Sequence, residues 1–577
     1  MAERGSAWLD PRIALVGVVA FGLWFPLVGL DWFWGQEQAS YILRTVEWAA
    51  ELRAGAVYPR WCPDFYGGYG SPLFMFYGPV IYAMAGLLAA TFTSVLWALK
   101  IVVLLGSLCS GWGAYALVLG ETRDRDAALL GAMAFLTAPY RIGNLYDRGD
   151  LGEFSCLALL PVVLAVYRAS GFEARPQRAR RLAVIAAVLH ALLIMTHPVL
   201  GMWGSLVIGA VVAVTAMKLV LRGARRRAGE LVLVLAAAPC LAGLYVVPAL
   251  VDRKETHTAN MVINFYNPQN HWLTWRTLFE SSTPLFPRNF TMIGPLVALA
   301  IAFAAVGVAL HRASRPAALG WLALCGALIA LNLPQMSWFW APGRLPLVTF
   351  IQFPWRLLGP AALAASVALG VGMAGAGRRL SRATRTSVAT LSSAALLFGL
   401  AWRFVSTSEM HTEGVPRDSN SVRQDLGSAT DADEYLPRAA HDAPAVPARE
   451  LVEEVKRAKV AYAHQDGSRQ SLTVNAKRAG AQVTLALHSF PGWQVQTLEG
   501  PGQVTLDHDA RGLVRLAFSD AGRYRVHVWF GTSAATRVGY ALTLATFLAF
   551  ALLLASEPVL RRWRAFLVAR LARKRAA

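Results

Sequence analysis

Charged residues are scarce in this chain: only 16% of its 577 residues are Asp, Glu, Lys or Arg, whereas 55% are hydrophobic. A soluble protein of this length would need about 25% charged residues to cover its surface. Apolar runs of about 20 residues, long enough to span a bilayer, recur between Ile13 and Leu400 and once more at 538–556. We therefore expect a mainly α polytopic membrane protein with about 12–13 membrane helices.

Cysteine is also scarce, and its placement excludes two kinds of site. The chain has five cysteines, of which four lie inside apolar segments and Cys62 stands alone in a polar loop. This pattern offers no disulfide framework and no Cys pair with metal-ligand spacing. The sequence also lacks a phosphate-cradling glycine loop, a nucleophile elbow, an HExxH motif and a CxxC motif. These absences argue against a nucleotide-driven pump and against a protease.

Charge of one sign dominates, and its distribution indicates the topology. The net charge of +20 would suggest a nucleic-acid partner in a soluble chain, but here the Arg clusters lie between apolar runs. Cytoplasmic loops explain them better, so we expect no nucleic-acid partner. The basic clusters alternate with loops poor in Lys and Arg, which predicts a multi-pass protein with both termini in the cytoplasm. The predicted crossings are 12–30, 95–119, 126–146, 151–168, 182–197, 199–221, 230–251, 293–311, 317–334, 356–377, 386–404 and 538–557.

The apolar run 72–93 breaks this alternation. A full crossing there would invert every later loop and place the basic C-terminal tail outside the cell. We predict that the run dips into the membrane and returns, or lies partly in its interface. Pro72, Gly78, Pro79 and Gly86 suit a broken helix buried against protein. The alternative is that the run crosses normally and a weaker segment does not.

Three domains follow from the composition. Residues 1–405 form a transmembrane domain with outer loops at 31–70 and 252–292, and 538–577 form a last membrane helix with a basic tail. Residues 406–537 change in character: a linker rich in Asp, Ser and Pro is followed, from about 450, by alternating segments typical of a small extracytoplasmic β-sandwich. The segments are SLTVNAK, AQVTLALHS, WQVQTL, GLVRLAF and GRYRVHVWF.

The first outer loop carries the most informative side chains. A helix from Gln36 to Ala54 would place Glu37, Tyr41 and Arg44 on one face. A carboxylate there could accept a proton from an acceptor hydroxyl, and a guanidinium could bind a phosphate. Arg60 follows in an aromatic stretch of the same loop. The alternative is an ordinary interfacial helix with a solvated polar edge.

A second candidate cluster lies in the segment YRIGNLYDRGDLGEF, residues 140–154. Asp150 and Glu153 have the spacing of a capping box at the start of a helix. Arg148 beside that helix N-terminus would also favour an anion. A structural cap and an anion site are both compatible with this pattern.

Three more candidates lie at outer ends of membrane helices. His197, which precedes Pro198, could bind a ligand group or satisfy a carbonyl that the proline leaves without a donor. Arg356 begins a helix with Gln352 one turn before it. An Arg at that depth could hold a lipid phosphate, although a lone Arg more often extends to the headgroups.

Several of these segments occur together in a known family. In order they are YPRW, YGGYGSPLFMFYGPVIY, YDRGDLGE, THP, QFPWR, DEYLPR and SFPGWQVQ. This series resembles the bacterial membrane proteins labelled 6-pyruvoyl-tetrahydropterin synthase-related, and the YfhO-type proteins. Both groups are similar to the GT-C glycosyltransferases, and the first label implies no pterin chemistry.

The resemblance implies an activity and roles for some residues. GT-C enzymes transfer a sugar, with inversion, from a polyprenyl phosphate in the outer leaflet, and an acidic residue of the first outer loop activates the acceptor. Glu37 matches that position, although the family more often has Asp there and a His or Gln where this chain has Tyr41. Arg148 and Glu153 match the family's RG…E element, and His197 and Arg356 match its later motifs.

The resemblance therefore implies a glycosyltransferase of the bacterial cytoplasmic membrane. Its partners would be a polyprenyl-phosphate sugar, membrane lipid and an envelope glycan or lipid acceptor. No metal ligands are assigned, and a divalent metal cofactor is left open. The alternatives are a transporter or flippase of lipid-linked sugars and a non-catalytic membrane scaffold that displays the β-domain.

Overall fold

The computed structural model describes residues 10–29, 37–279, 292–341, 351–407, 422 and 433–576. Parts of the predicted outer loops and most of the predicted linker therefore lie outside the described residues. The longer helices are α1 Pro11–Trp24, α2 Gln38–Arg53, α3 Val80–Thr91, α4 Val95–Thr122, α5 Arg125–Leu136, α6 Leu151–Phe172, α7 Pro176–Ile194, α8 Pro198–Leu221, α9 Arg225–Leu241, α10 Gly243–Val251, α11 Gly294–Leu310, α12 Arg315–Ala330, α13 Leu358–Gly377, α14 Arg382–Thr407 and α15 Ala534–Ala576.

Short helical turns connect or extend several of these helices. They are Phe25–Leu27, Phe65–Gly68, Leu73–Met75, Pro139–Gly143, Asn144–Arg148, Asp252–Glu255, Thr258–Val262, Asn264–Tyr266, Pro268–Asn270, Arg312–Ser314, Pro334–Trp340 and Pro354–Leu357. The turn Asn144–Arg148 is a π-helix, and two residues separate it from α6.

The expected polytopic α class is confirmed. In the described part of the chain, six helices are long and apolar enough to cross a membrane, or seven if the pair α9 and α10, bent by 61°, forms one span. Each of the twelve predicted crossings contains a helix, but several of these helices are short or less apolar. The count of twelve crossings stays a prediction.

Helix α3 occupies the run that breaks the charge alternation. It has 12 residues, which corresponds to about 18 Å at the usual helical rise, whereas the hydrocarbon core is about 30 Å thick. It packs between α2 and α4. This length suits the re-entrant segment, which stays a prediction.

Helix α13 lies at the centre of the transmembrane core. Nearly all of its residues are buried, and α4, α5, α11 and α12 pack around it. Small residues allow this close approach: a Cβ added at Gly307 of α11 would lie 2.3 Å from the carbonyl oxygen of Gly372 in α13. The turn Pro354–Leu357 precedes α13, so the position of this helix sets the position of Arg356.

The C-terminal β-domain has two antiparallel four-stranded sheets. The strands are β1 Val452–Lys456, β2 Ala458–Asp466, β3 Arg469–Ala476, β4 Ala481–His488, β5 Trp493–Glu499, β6 Val504–His508, β7 Leu513–Phe518 and β8 Gly522–Phe530. The sheet orders are β1-β4-β7-β6 and β2-β3-β8-β5. All five segments read as strands are confirmed, whereas β1, β2 and β6 were missed because most of their residues are exposed and alternate weakly.

Candidate functional site

A cavity of about 300 Å³ opens between the first outer loop, the turn before α6, the start of α8 and the segment before α13. Six of the nine predicted site residues line it. They are Glu37, Arg44, Arg148, His197, Gln352 and Arg356. Residues that are more than 300 positions apart in the chain therefore meet at one cavity.

Arg148 is the centre of the polar network beneath this cavity. Its guanidinium is 2.9 Å from Glu37 Oε1, 3.3 Å from Asp150 Oδ2 and 2.9 Å from Glu153 Oε2. The π-turn ends at Arg148, and its carbonyl accepts a 2.9 Å hydrogen bond from the Glu37 N–H. The next residue, Gly149, has φ +70°, and a Cβ there would come within 3.1 Å of Gln38. A glycine thus allows the two segments that carry Glu37 and Arg148 to touch.

Glu153 joins Arg148 to Arg356. Its side chain is fully buried, and its carboxylate pairs with both guanidinium groups while accepting a 2.9 Å hydrogen bond from Tyr140 Oη. The expected capping box is therefore only half formed: Asp150 caps α6 by accepting the Glu153 N–H at 2.9 Å, but the Glu153 side chain contacts the two arginines. Removing one partner from a buried ion pair costs about 3–5 kcal/mol, so this network holds the site together.

Gln352 helps to position Arg356. Its Oε1 accepts a 2.8 Å hydrogen bond from Arg356 Nη1, and its backbone has φ 57°. A non-glycine residue in this left-handed conformation is strained. The ion pair with Glu153 and the bond to Gln352 keep Arg356 at the cavity wall.

Asp150 connects Tyr41 and His197. Tyr41 Oη donates to Asp150 Oδ1 at 2.8 Å and accepts the Gly152 N–H at 2.8 Å. His197 Nε2 lies 3.8 Å from Asp150 Oδ2. Burial raises the pKa of Asp150, but the electrostatic effects of His197, Arg148 and Arg356 outweigh it and lower that pKa to about 2. Asp150 is thus an anion that orients its neighbours.

His197 caps α8, because its Nδ1 accepts the Leu200 N–H at 3.0 Å. The same ring lines the cavity. Tyr41, by contrast, is fully buried beneath the cavity wall, so it acts on the site through Asp150.

Glu37 occupies a site suited to proton transfer. It precedes α2 and 26% of its side-chain surface is exposed, towards the cavity. Tyr77 Oη donates to its Oε2 at 3.4 Å. Burial and the charge of Asp150 raise the pKa of Glu37 to about 7, against the lowering effect of Arg148 and Arg356. A carboxylate with this pKa can accept and release a proton near neutral pH.

Two other predicted substrate-binding residues, Arg44 and Arg60, lie in different surroundings. Arg44 lines the cavity, with its guanidinium carbon 4.2 Å from the centroid of the Tyr77 ring. Arg60 lies elsewhere: it lines a separate groove against the β-domain, 5.8 Å from the ring centroid of Phe530. The loop turns away from the cavity after α2, and sequence spacing within an irregular loop did not reveal this.

Tyr77, Trp355, Glu434 and Tyr435 are among the cavity residues that sequence reasoning missed. The ring of Trp355 lies 4.7 Å from the guanidinium carbon of Arg148, an arrangement that favours a cation. These residues lie within the segments YGGYGSPLFMFYGPVIY, QFPWR and DEYLPR, which the sequence marks only as family motifs. Those motifs were the signal that could have identified them.

Asp150, Glu153 and His197 place ligand atoms within 4.8 Å of one another, a spacing compatible with a divalent metal. Their hydrogen bonds fit a metal poorly. Because His197 Nδ1 accepts the Leu200 N–H, the neutral ring carries its proton on Nε2, the atom that faces Asp150. Both Glu153 oxygens are paired with arginines. In this arrangement two guanidinium groups balance the charge of the Glu153 carboxylate.

An apolar cavity of about 420 Å³ adjoins the polar one. It lies beside α8 and the bent pair α9 and α10. The two cavities share part of their lining, namely Pro198, Val199, Met261 and Tyr435. A ligand with a charged head and an apolar tail would match this pair of cavities.

Comparison with known proteins gives one family match. The model of the 6-pyruvoyl-tetrahydropterin synthase-related domain, a membrane-protein family, matches residues 74–405. No curated protein matches the chain.

Solved structures of two proteins are similar to this chain. One is ArnT from Cupriavidus metallidurans bound to undecaprenyl phosphate, with 16% identity, a TM-score of 0.41 and coverage of 72% of this chain and 68% of that chain. The other is the oligosaccharyltransferase AglB from Archaeoglobus fulgidus with an inhibitory peptide and a dolichol-phosphate, with 13% identity, a TM-score of 0.42 and coverage of 72% and 57%. The Archaeoglobus fulgidus enzyme complexed with Zn and sulfate has 14% identity, a TM-score of 0.41 and coverage of 70% and 53%. The chain thus spans little more than half the length of the archaeal enzyme.

Proposed function

Since the chain belongs to the 6-pyruvoyl-tetrahydropterin synthase-related family of membrane proteins, we propose that it is a GT-C-type glycosyltransferase of the bacterial cytoplasmic membrane. It moves a sugar from a polyprenyl-phosphate donor to a cell-envelope acceptor at the outer face. The observation that supports this most is the pair of adjoining cavities. The polar one offers two carboxylates and three arginines, and the apolar one has room for part of an isoprenoid tail.

The donor phosphate binds where Arg148 and Arg356 reach the cavity wall. Guanidinium groups match phosphate oxygens in charge and geometry. Both are held by Glu153 from below, so they are oriented before the donor arrives. The isoprenoid tail follows the apolar cavity past Met261 and Tyr435.

Glu37 is the general base in this mechanism. Its carboxylate takes the proton of the acceptor hydroxyl, whose oxygen attacks the anomeric carbon while the bond from that carbon to the phosphate oxygen breaks. The configuration inverts, and polyprenyl phosphate leaves. When Glu37 is protonated, its attraction for Arg148 weakens, so the charge of Arg148 becomes available to the leaving phosphate.

Replacing the base tests this assignment. In Glu37→Gln we expect turnover to fall by about 10²–10⁴-fold, while affinity for the polyprenyl-phosphate sugar changes by less than about threefold. The measurement pairs transfer of a radiolabelled sugar with donor binding to the purified protein in lipid nanodiscs. The matched control is Glu454→Gln on β1, whose side chain is 44% exposed and does not line the cavity.

A Glu37→Gln variant that keeps full transfer activity would contradict the role of Glu37. A wild-type protein that translocates lipid-linked sugars without transferring them would instead support the flippase alternative. In a deletion strain, we expect the polyprenyl-phosphate sugar to accumulate, which lipid analysis can detect.

A further inference from the structure

One face of the β-domain carries aromatic and polar side chains that the proposed transfer does not use. It is the outer face of the sheet β2-β3-β8-β5. Because side chains alternate along a strand, Val526 and Val528 of β8 enter the core of the domain, whereas His527 and Trp529 lie on the opposite, partly exposed face.

The strand register arranges these side chains in two rows across the sheet. The rows are Asp466–Arg469–Trp529–Gln494 and His464–Ser471–His527–Gln496. Directly opposed residues in antiparallel strands have Cβ atoms about 5 Å apart. The rows therefore form a continuous patch across four strands.

An open groove of about 480 Å³ lies over these rows. The rings of His527 and Trp529 are stacked on its floor, with centroids 5.6 Å apart and planes at 22°. Asp466 and Gln496 are exposed beside them. Among the described lining residues none is aliphatic.

We propose that this groove is a binding site for a neutral glycan. A sugar ring has C–H groups on its faces, which pack against flat aromatic rings, and hydroxyl groups at its edge, which pair with carboxylates, amides and imidazoles. The groove provides both kinds of partner side by side. Its charged residues, Asp466 and Arg469, have opposite signs and lie opposite each other. An anionic polymer would therefore gain little electrostatic attraction there. The lack of aliphatic residues disfavours an apolar peptide.

The groove also continues towards the membrane domain. Arg469 and Trp529 line a second groove of about 580 Å³ that reaches the loop after α2, including Arg60 and Trp61. Arg60, which does not reach the catalytic cavity, lies along this path. A glycan of several sugars would thus extend from the β-domain towards the first outer loop.

Saturation-transfer NMR on the full-length protein in nanodiscs tests this site. The probes are neutral oligosaccharides of glucose, mannose, galactose and arabinose, with polyphosphate as the anionic probe. We expect at least one neutral oligosaccharide to bind, and we expect Trp529→Ala and Asp466→Ala each to weaken that binding by at least about tenfold, since aromatic anchors and their polar partners dominate such sites. Asp466 is exposed, so its replacement leaves the fold intact.

Two control variants test whether the binding belongs to this groove. Trp275→Ala removes an indole that is 63% exposed on another loop and should not change binding. Glu37→Gln should also bind the oligosaccharide normally, so a failure of the transferase assignment would leave this readout intact. The proposal is overturned if no neutral oligosaccharide binds, if only polyphosphate binds, if both β-domain variants bind like the wild type, or if Glu37→Gln abolishes binding.

Discussion

At the scale of single residues, the site depends on the carboxylate of Glu37, whose neighbours have opposite effects on its pKa. Burial and Asp150 raise the pKa of Glu37, whereas Arg148 and Arg356 lower it, and the result is about 7. A general base must be ionised to accept a proton. The loss of activity at low pH should therefore reflect the protonation of Glu37.

We expect kcat/KM for sugar transfer to rise with pH up to a midpoint near 7, the raised pKa of Glu37, because the protonated form is inactive below it. An unperturbed Glu would place this midpoint at about pH 4.3. In Arg356→Gln the midpoint should move to higher pH, since a positive charge that favours the carboxylate is lost. Arg356→Lys keeps that charge and serves as the control; a pH-independent rate between about pH 5 and pH 8 would contradict the assignment.

At the scale of elements, the contact of α11 with α13 positions the arginine that precedes α13. The two helices approach through glycines: a Cβ at Gly372 would lie 2.4 Å from the carbonyl carbon of Phe303. Neither backbone can move away easily, because α13 is enclosed by other helices. A small change in this contact should therefore displace Arg356.

We expect Gly372→Ala to destabilise the protein by about 1–3 kcal/mol, the usual cost of overpacking a dense core, and to weaken donor binding through displacement of Arg356. Thermal unfolding of the detergent-solubilised protein and donor titration measure the two effects. Gly320→Ala on α12 is the matched control, since a Cβ there has nothing within 4 Å. Equal unfolding temperatures for the two variants would show that the contact between α11 and α13 tolerates the added methyl group.

At the scale of the whole molecule, the β-domain and the first outer loop form one packed unit. The backbone N–H of His488 donates to the carbonyl of Tyr69 at 2.8 Å, and Trp61 packs against Trp493 and Phe530 at ring-centroid distances of 5.0 and 4.8 Å. Tyr435, just before the β-domain, lines the polar cavity. We therefore expect the cavity and the β-domain to lie on the same side of the membrane.

A labelling experiment checks which side this is. We expect Lys456→Cys on β1 to react with a membrane-impermeant maleimide on intact cells, and Arg226→Cys, at the start of α9, to react only after permeabilisation. Both side chains are well exposed, at 60% and 84%, so accessibility reflects topology. Replacing the partly buried native Cys109 and Cys240 with Ser removes background; labelling of Arg226→Cys from outside would reverse the proposed orientation.

The amino-acid sequence by itself determined the membrane class, most of the described helices and five of the eight strands in the described part of the chain, because apolar length and alternation are local properties that each segment carries alone. It also named Glu37, Arg148 and Arg356, but it left each of them with an ordinary structural alternative. Only the tertiary structure decided that Glu37 and Arg148, 111 positions apart, form a hydrogen bond, that Glu153 joins two arginines, and that Arg60 faces the β-domain. Contacts between distant segments depend on how helices pack and loops turn, and no single segment of the chain contains that information.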